Sequence, residues 1–290
     1  MTRLPRGLRI ALLLAPALLV VVVLFLGGLV QGVLQSFGYL PFLSDWHWST
    51  DAYRAMAVDP AVRASFVLTF RTAFLATVLA VVLGTSGALL VRSTRRGKRA
   101  LSAVFQSTLP VPHLVGALAM LLLLSQGGTL SRITHALGLT SGTADFPELT
   151  NDAFGWGLLA EYAWKEAPFV GVVVLATLNA GVAELEDAAR TLGAGRWARL
   201  RHVVVPLITP GVLATSVLVF AFSFGSYEVP VLLGRPYPST LPVVAYQYAT
   251  DTDLNARPTA MAIAVVVALL VGSLVAVYTA VSERYLRRTA

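Results

Sequence analysis

Residues Glu184 to Pro206 read ELEDAARTLGAGRWARLRHVVVP. This polar stretch lies between two strongly apolar segments of a chain that is mostly apolar. It opens on Glu184, Glu186 and Asp187, breaks at Gly193, and carries four arginines, Arg190, Arg196, Arg199 and Arg201. Acidic residues at the start of a helix-forming run suit the positive end of the helix dipole. Ala188 and Ala189 favour helix and keep one face flat. Gly193 is a natural stop, because glycine enters the left-handed region without penalty. The run AGRWARLRHVV then leads to Pro206, which fits the first turn of the next helix. The expected shape is helix, glycine turn, helix, lying at a membrane surface and suited to docking into a cleft on a partner. The bland reading is a basic loop that only fixes topology.

The surroundings make this a membrane protein. The 290 residues are 56% hydrophobic and 13% charged, with a mean hydropathy of +0.73. A soluble domain has about 25% charged residues. A net charge of +7 could suggest nucleic acid, but the basic residues sit in short patches beside apolar runs, as positive-inside loops do. With no cysteine and four scattered histidines, neither a disulfide nor a metal site is expected.

Six segments are apolar over the length a span needs: about 9–34, 65–91, 101–124, 155–180, 204–226 and 259–281. The first is too long for a signal-peptide core and is read as a retained span. With the N-terminus inside, the segments 1–9, 92–100, 181–203 and 282–290 hold fifteen Lys and Arg, against five in the loops between. That bias predicts both termini in the cytoplasm and the 181–203 loop on the same side. The fold class expected is an all-α integral membrane protein of six transmembrane helices, residues 1–290 forming a single transmembrane domain.

The spacing in the polar loop is specific. Asp187-Ala188-Ala189, three residues, Gly193, nine residues, Val203, one residue, Val205-Pro206 resembles the EAA motif of permease subunits of binding-protein-dependent ABC importers. Asp stands for Glu, and Val for Ile and Leu. Pro206-Leu-Ile-Thr-Pro-Gly211 and Phe220-Ala-Phe-Ser-Phe-Gly225 are similar to the start and end of that family's fifth span. Leu192-Gly193-Ala194 is closer to the branch for polyamines, ferric iron, thiamine, opines, phosphonates and sulfate than to the sugar branch. The resemblance implies a type I importer-like (MetI-like) permease fold in the inner membrane of a prokaryote. It implies a second permease, homologous or identical, two cytoplasmic ABC ATPase subunits and an extracytoplasmic solute-binding protein. Glu184, Glu186, Asp187, Ala188, Ala189, Gly193, Arg196 and Pro206 then form the ATPase-coupling element, with Asp187 facing a basic group on the ATPase. The solute implied is small, a polyamine or similar charged compound, with a sugar-type solute in the same role as the alternative. No G-x-x-x-x-G-K-[ST] loop occurs, so no cofactor is expected on this chain, and ATP and Mg belong to the partner ATPase. Lipid is the other partner, and nucleic acid is not one.

Polar groups inside spans are costly and often functional. Glu161 and Lys165, in the favoured i, i+4 order, are read as neutralising each other, which leaves Glu166 without a local partner and weighted toward the solute path. Arg71 is read as snorkelling outward. Pro110, Pro112 and His113 fall mid-way along the third span and suggest a kink beside a cavity. His113, Glu166, Thr215, Ser216, Ser223, Tyr227 and Glu228 are the candidate solute-path residues. Gly28-xxx-Gly32 is a weak helix-contact signal. Three alternatives weigh less. A secondary transporter would bring more spans or a repeat, an intramembrane enzyme would bring a cluster of acids, bases and nucleophile, and a plain anchor would not need the glycine-punctuated loop.

Overall fold

The computed structural model describes residues 6–94, 96–179 and 181–289. Arg3 and Arg95, which entered the charge count, lie outside the described residues, as do the side chains of Arg6, Arg9, Arg284, Arg287 and Arg288. The described chain is helical and contains no strand. In order come α1 (Arg6–Val21), a wide turn (Val22–Leu26), α2 (Gly27–Ser36), α3 (Asp51–Val58), α4 (Pro60–Ser93), α5 (Lys98–Gln106), α6 (His113–Leu124) and α7 (Thr129–Ala136). Then follow α8 (Trp156–Asn179), α9 (Val182–Thr191), α10 (Arg196–Arg199), a second wide turn (Leu200–Val204), α11 (Val205–Gly225), α12 (Glu228–Leu233), α13 (Leu241–Ala249) and α14 (Arg257–Thr289).

Five described stretches are long and apolar enough to cross a membrane: Ile10–Ser36, Pro60–Ser93, His113–Ala136, Arg196–Gly225 and Leu254–Ser282. A sixth qualifies when α8 is taken together with α9. The physical reason is that α8 carries Glu161, Lys165 and Glu166. The third span differs from its expected range of 101–124. Pro110 and Pro112 do not merely kink it. They end α5 at Gln106, and α6 starts afresh at His113 with Pro112 at its N-cap. A proline has no N–H to offer the carbonyl four residues back, so the carbonyls of Gln106 and Thr108 lose their helical donors. Tight turn bonds from Leu109 to Gln106 and from Val111 to Thr108 take their place.

The residues cluster into two compact units, Met1–Arg63 with Val244–Val266, and Ala64–Val243 with Val267–Ala290. In the first, the Gly38 turn is closed by Ser49 N–H donating to the Phe37 carbonyl. Tyr39, Trp46 and Trp48 pack ring against ring beside it, and Tyr248 donates to Asp59 across 3.2 Å. The apolar window of the first span is 0% buried within the chain, and a helix apolar all round suits hydrocarbon.

The second unit is built on α8. One core joins Val170, Val174 and Leu178 to Ala80, Ala88 and Val91 of α4 and to Ile208 and Val219 of α11. Another joins Leu158, Leu159 and Tyr162 to Ala76, Ala117, Val229 and Leu233. Lipid tails are as apolar as leucine, so close approach, more than burial, holds such helices together. Gly84 and Gly171 supply it. A Cβ on Gly84 would lie 2.4 Å from the Ala167 carbonyl oxygen, and one on Gly171 would lie 2.4 Å from the Phe105 ring. By contrast, a Cβ on Gly28 would meet nothing within 4 Å, so the Gly28-xxx-Gly32 pattern marks no close crossing at Gly28 among the described residues.

Candidate functional site

The polar loop folds as the local sequence dictates. α9 ends in a Schellman motif. Gly193 takes φ +83°, its N–H donates to the Arg190 carbonyl, and Ala194 N–H donates to the Ala189 carbonyl, both across 3.0 Å. Gly195 then enters α10 in extended backbone, and the wide turn Leu200–Val204 feeds α11 with Pro206 in its first turn. The result is a short helix, a left-handed glycine and a second short helix.

One face of this knob is anchored. Val182 and Val204 are buried in the α8-centred core. Glu186, one turn on from Val182, forms a salt bridge with Arg92 near the end of α4. The opposite face is open. Glu184, Leu185, Asp187 and Ala188 are exposed, Ala189 is half-buried, and Arg196 and Pro206 are exposed. Asp187 meets Arg190 of its own helix at 3.2 Å. Two large apolar side chains at the tip are almost bare, Leu192 at 88% and Trp197 at 80% exposure. Exposed apolar patches rimmed by polar residues mark interaction sites. Charge pattern alone did not single out Leu192 and Trp197. Their signal was two large apolar residues on either side of the glycine turn in an otherwise polar loop.

The second constellation is buried inside the α8-centred unit. Glu161 is 0% exposed. The i, i+4 expectation fails here, because Glu161 and Lys165 each have other partners. Lys165 Nζ donates to the Thr108 carbonyl at 2.7 Å and the Leu109 carbonyl at 3.0 Å, within the segment that the prolines interrupt. Glu161 faces His113 instead, Oε1 to Nδ1 at 3.3 Å, and Glu166 Oε1 lies 3.4 Å from the same ring's Nε2. Glu166 therefore has a partner, on another helix. Phe222 of α11 covers the imidazole with ring centres 4.3 Å apart. Gly116, three residues after His113, leaves room for Glu161, whose Oε1 would lie 3.0 Å from a Cβ there.

The other candidate path residues belong to α11 and the start of α12. Thr215 donates to the Gly211 and Val212 carbonyls and Ser216 to the Val212 carbonyl, so both hydroxyls are satisfied on their own helix. Ser223 is buried, with no hydrogen-bond partner for its hydroxyl. Tyr227 caps α12 and exposed Glu228 begins it. Arg71 leaves its span to donate to the carbonyls of Ala153 and Phe154 at 3.0 and 2.8 Å. Asp152 fixes that same approach to α8 by accepting from the backbone N–H of Phe154, Gly155 and Trp156. Among the described residues no group of three or more His, Asp or Glu is placed to hold a metal ion.

Comparison with known proteins matches residues 76–288 to the family described as binding-protein-dependent transport system inner membrane component. A probable molybdenum ABC transporter permease protein of Haloferax volcanii is 31% identical over 208 residues, 71% of each chain. The molybdenum transport system permease protein of Azotobacter vinelandii is 33% identical over 185 residues, 63% of this chain and 78% of that one. A probable sulfate transport system permease protein of Marchantia polymorpha is 28% identical over 183 residues, 63% of this chain and 60% of that one. Among solved structures, a chain of a bacterial ABC transporter for alginate import superposes with a TM-score of 0.81 over 96% of both chains at 17% identity. A chain of the inward-facing MetNI methionine transporter gives 0.54 over 79% of this chain and 95% of that one at 20% identity.

Proposed function

We propose a function from one premise: the chain belongs to the family of binding-protein-dependent transport system inner membrane components. It is a multi-pass membrane protein and a permease subunit of an ABC importer. On our reading it is a transport subunit and not an enzyme, one permease domain over residues 1–290, with both termini and the α9–α10 knob on the cytoplasmic side of the inner membrane. The knob docks into a cleft on an ABC ATPase subunit, which binds ATP and Mg. Two such ATPases serve this chain and a second permease, homologous or identical, and an extracytoplasmic binding protein delivers the solute.

The observation that carries the coupling reading is the division of the knob. Val182, Glu186 and Val204 hold one side to the membrane helices, while Leu192 and Trp197 stand bare at the tip. An aromatic anchor at the centre of a small patch is what a partner's pocket takes up. Movement of the docked knob would pass through Val182 and Val204 directly into α8 and α11, because those valines belong to the core joining the two helices.

The solute we infer is a small tetrahedral oxyanion of the molybdate or sulfate kind. The relatives named for molybdenum and sulfate support this class, and they turn the reading away from a polyamine. The test is uptake by vesicles holding this chain, its second permease and its ATPase, with the binding protein outside. ATP-dependent uptake of molybdate or sulfate is expected. Uptake of spermidine and of neither oxyanion would defeat the solute reading, and uptake without ATP would defeat the coupling.

A further inference from the structure

Hydrogens can be counted in the buried cluster. His113 makes two contacts with carboxylate oxygens, one from each ring nitrogen, at 3.3 and 3.4 Å. A carboxylate brings no hydrogen, and a neutral imidazole brings one. The contact with Glu161 has hydrogen-bond geometry, whereas that with Glu166 is a close charge contact, so a neutral ring answers at most one of the two carboxylates and leaves the other facing it uncompensated. One additional proton removes the conflict, whether it resides on the ring or on a carboxyl. The charges give the same answer. Glu161, Glu166 and Lys165 together carry one net negative charge, and an uncompensated buried charge is expensive. One bound proton makes the group neutral.

We propose that His113, Glu161 and Glu166 form a proton-binding site that ties the start of α6 to α8, with one proton held among the three side chains. Nearby groups do not supply the missing charge. On α8, Lys165 is committed to the Thr108 and Leu109 carbonyls, and Tyr162 is a neutral phenol. α4, which shares both cores with α8, carries Arg71, committed to the Ala153 and Phe154 carbonyls, and α5 carries Lys98 and Arg99, both exposed; α11 presents Phe222 and the hydroxyl of Ser223. α12, which packs on α6, carries Glu228, and α7, at the far end of α6, carries Arg132 and His135, all three exposed. The second oxygen of Glu161 is buried without a partner, which makes the loss of the proton costlier still. Proton occupancy and the packing of these helices are thereby linked, whatever the solute.

The sign follows from linkage. The packed state binds one more proton than a state with α6 and α8 apart, so its stability is present at low pH and lost as pH rises past the point where the proton leaves. The test is the thermal midpoint of the full purified chain, read between about pH 6 and pH 9, the span above ordinary carboxylate values that includes the imidazole value. The wild-type midpoint is expected to fall by about 2 °C per pH unit while the packed state keeps a proton that the separated state has released, and to level off above the pH at which the packed state loses it, as one proton's linkage gives for a chain of this size. Glu166→Gln removes one charge and supplies a permanent N–H, and Glu161→Gln does the same at the other contact. Either variant should flatten the profile relative to wild type, and loss of fold in one leaves the other to decide. A flat wild-type profile overturns the proposal whatever the variants do. So does a Gln variant that keeps the wild-type slope.

Discussion

Gly193→Ala isolates the shape of the knob from everything else. Gly193 sits at φ +83°, yet a Cβ there would meet nothing within 4 Å. Steric clash with neighbours is absent, and the whole cost is the left-handed backbone, about 1–2 kcal/mol for a residue with a Cβ. That energy depopulates the Schellman-ended knob by about 5–30-fold. The ends of α9 and α10 can loosen locally, so the membrane helices need not unfold with them. Gly195 is the control. It too has open space around it, but its φ is −67°, which alanine adopts freely. The assay is retention of the ATPase on the permease pair, titrated to give an apparent Kd. Gly193→Ala should weaken binding about 5–30-fold with an unchanged permease melting midpoint, and Gly195→Ala should change it by less than about twofold. Equal affinities for wild type and Gly193→Ala, or an equal loss in Gly195→Ala, would refute the argument that the left-handed turn shapes the docking surface.

Gly84→Ala drives a Cβ to 2.4 Å from the Ala167 carbonyl and should cost about 1–3 kcal/mol as overpacking, visible as a lower melting midpoint in detergent. Gly28→Ala, with open space at its Cβ, should leave that midpoint alone. Lys165→Met withdraws the ammonium from the Thr108 and Leu109 carbonyls and should destabilise by about 1–3 kcal/mol, with Lys165→Arg recovering part of the loss by the same melting assay. Arg92→Glu should misplace the knob by repelling Glu186 and weaken ATPase retention, and the exchange Arg92→Glu with Glu186→Arg should restore it in a pull-down.

The knob was legible because everything that shapes it is local. The Schellman bonds join residues three and five apart, and Gly193 and Pro206 announce the turn and the next helix. The prolines of the third span were legible as trouble, but a kink and a full break look alike in sequence. In the full break, a lysine 56 residues away donates to the Leu109 carbonyl, a contact that no local pattern displays. The pairing of His113 with Glu161 spans 48 residues. On α8 alone, the i, i+4 spacing pointed to Glu161 and Lys165 instead, since local spacing is the only partner that a single helix can display. The glycine crossing was missed for a similar reason. Gly28 and Gly32 show the pattern on one helix, whereas Gly84 and Gly171 make contact across two.

On the proposed function, the tip of the knob enters the ATPase. The chain has no cysteine, so a single thiol can be placed without background. In the assembled transporter, Trp197→Cys, at a site 80% exposed in the chain alone, should cross-link to the ATPase subunit with a short thiol-to-amine reagent. Leu139→Cys, at a similarly bare position between α7 and α8, should not. A Trp197→Cys chain that yields no ATPase adduct while Leu139→Cys does would show that the tip stays outside the ATPase.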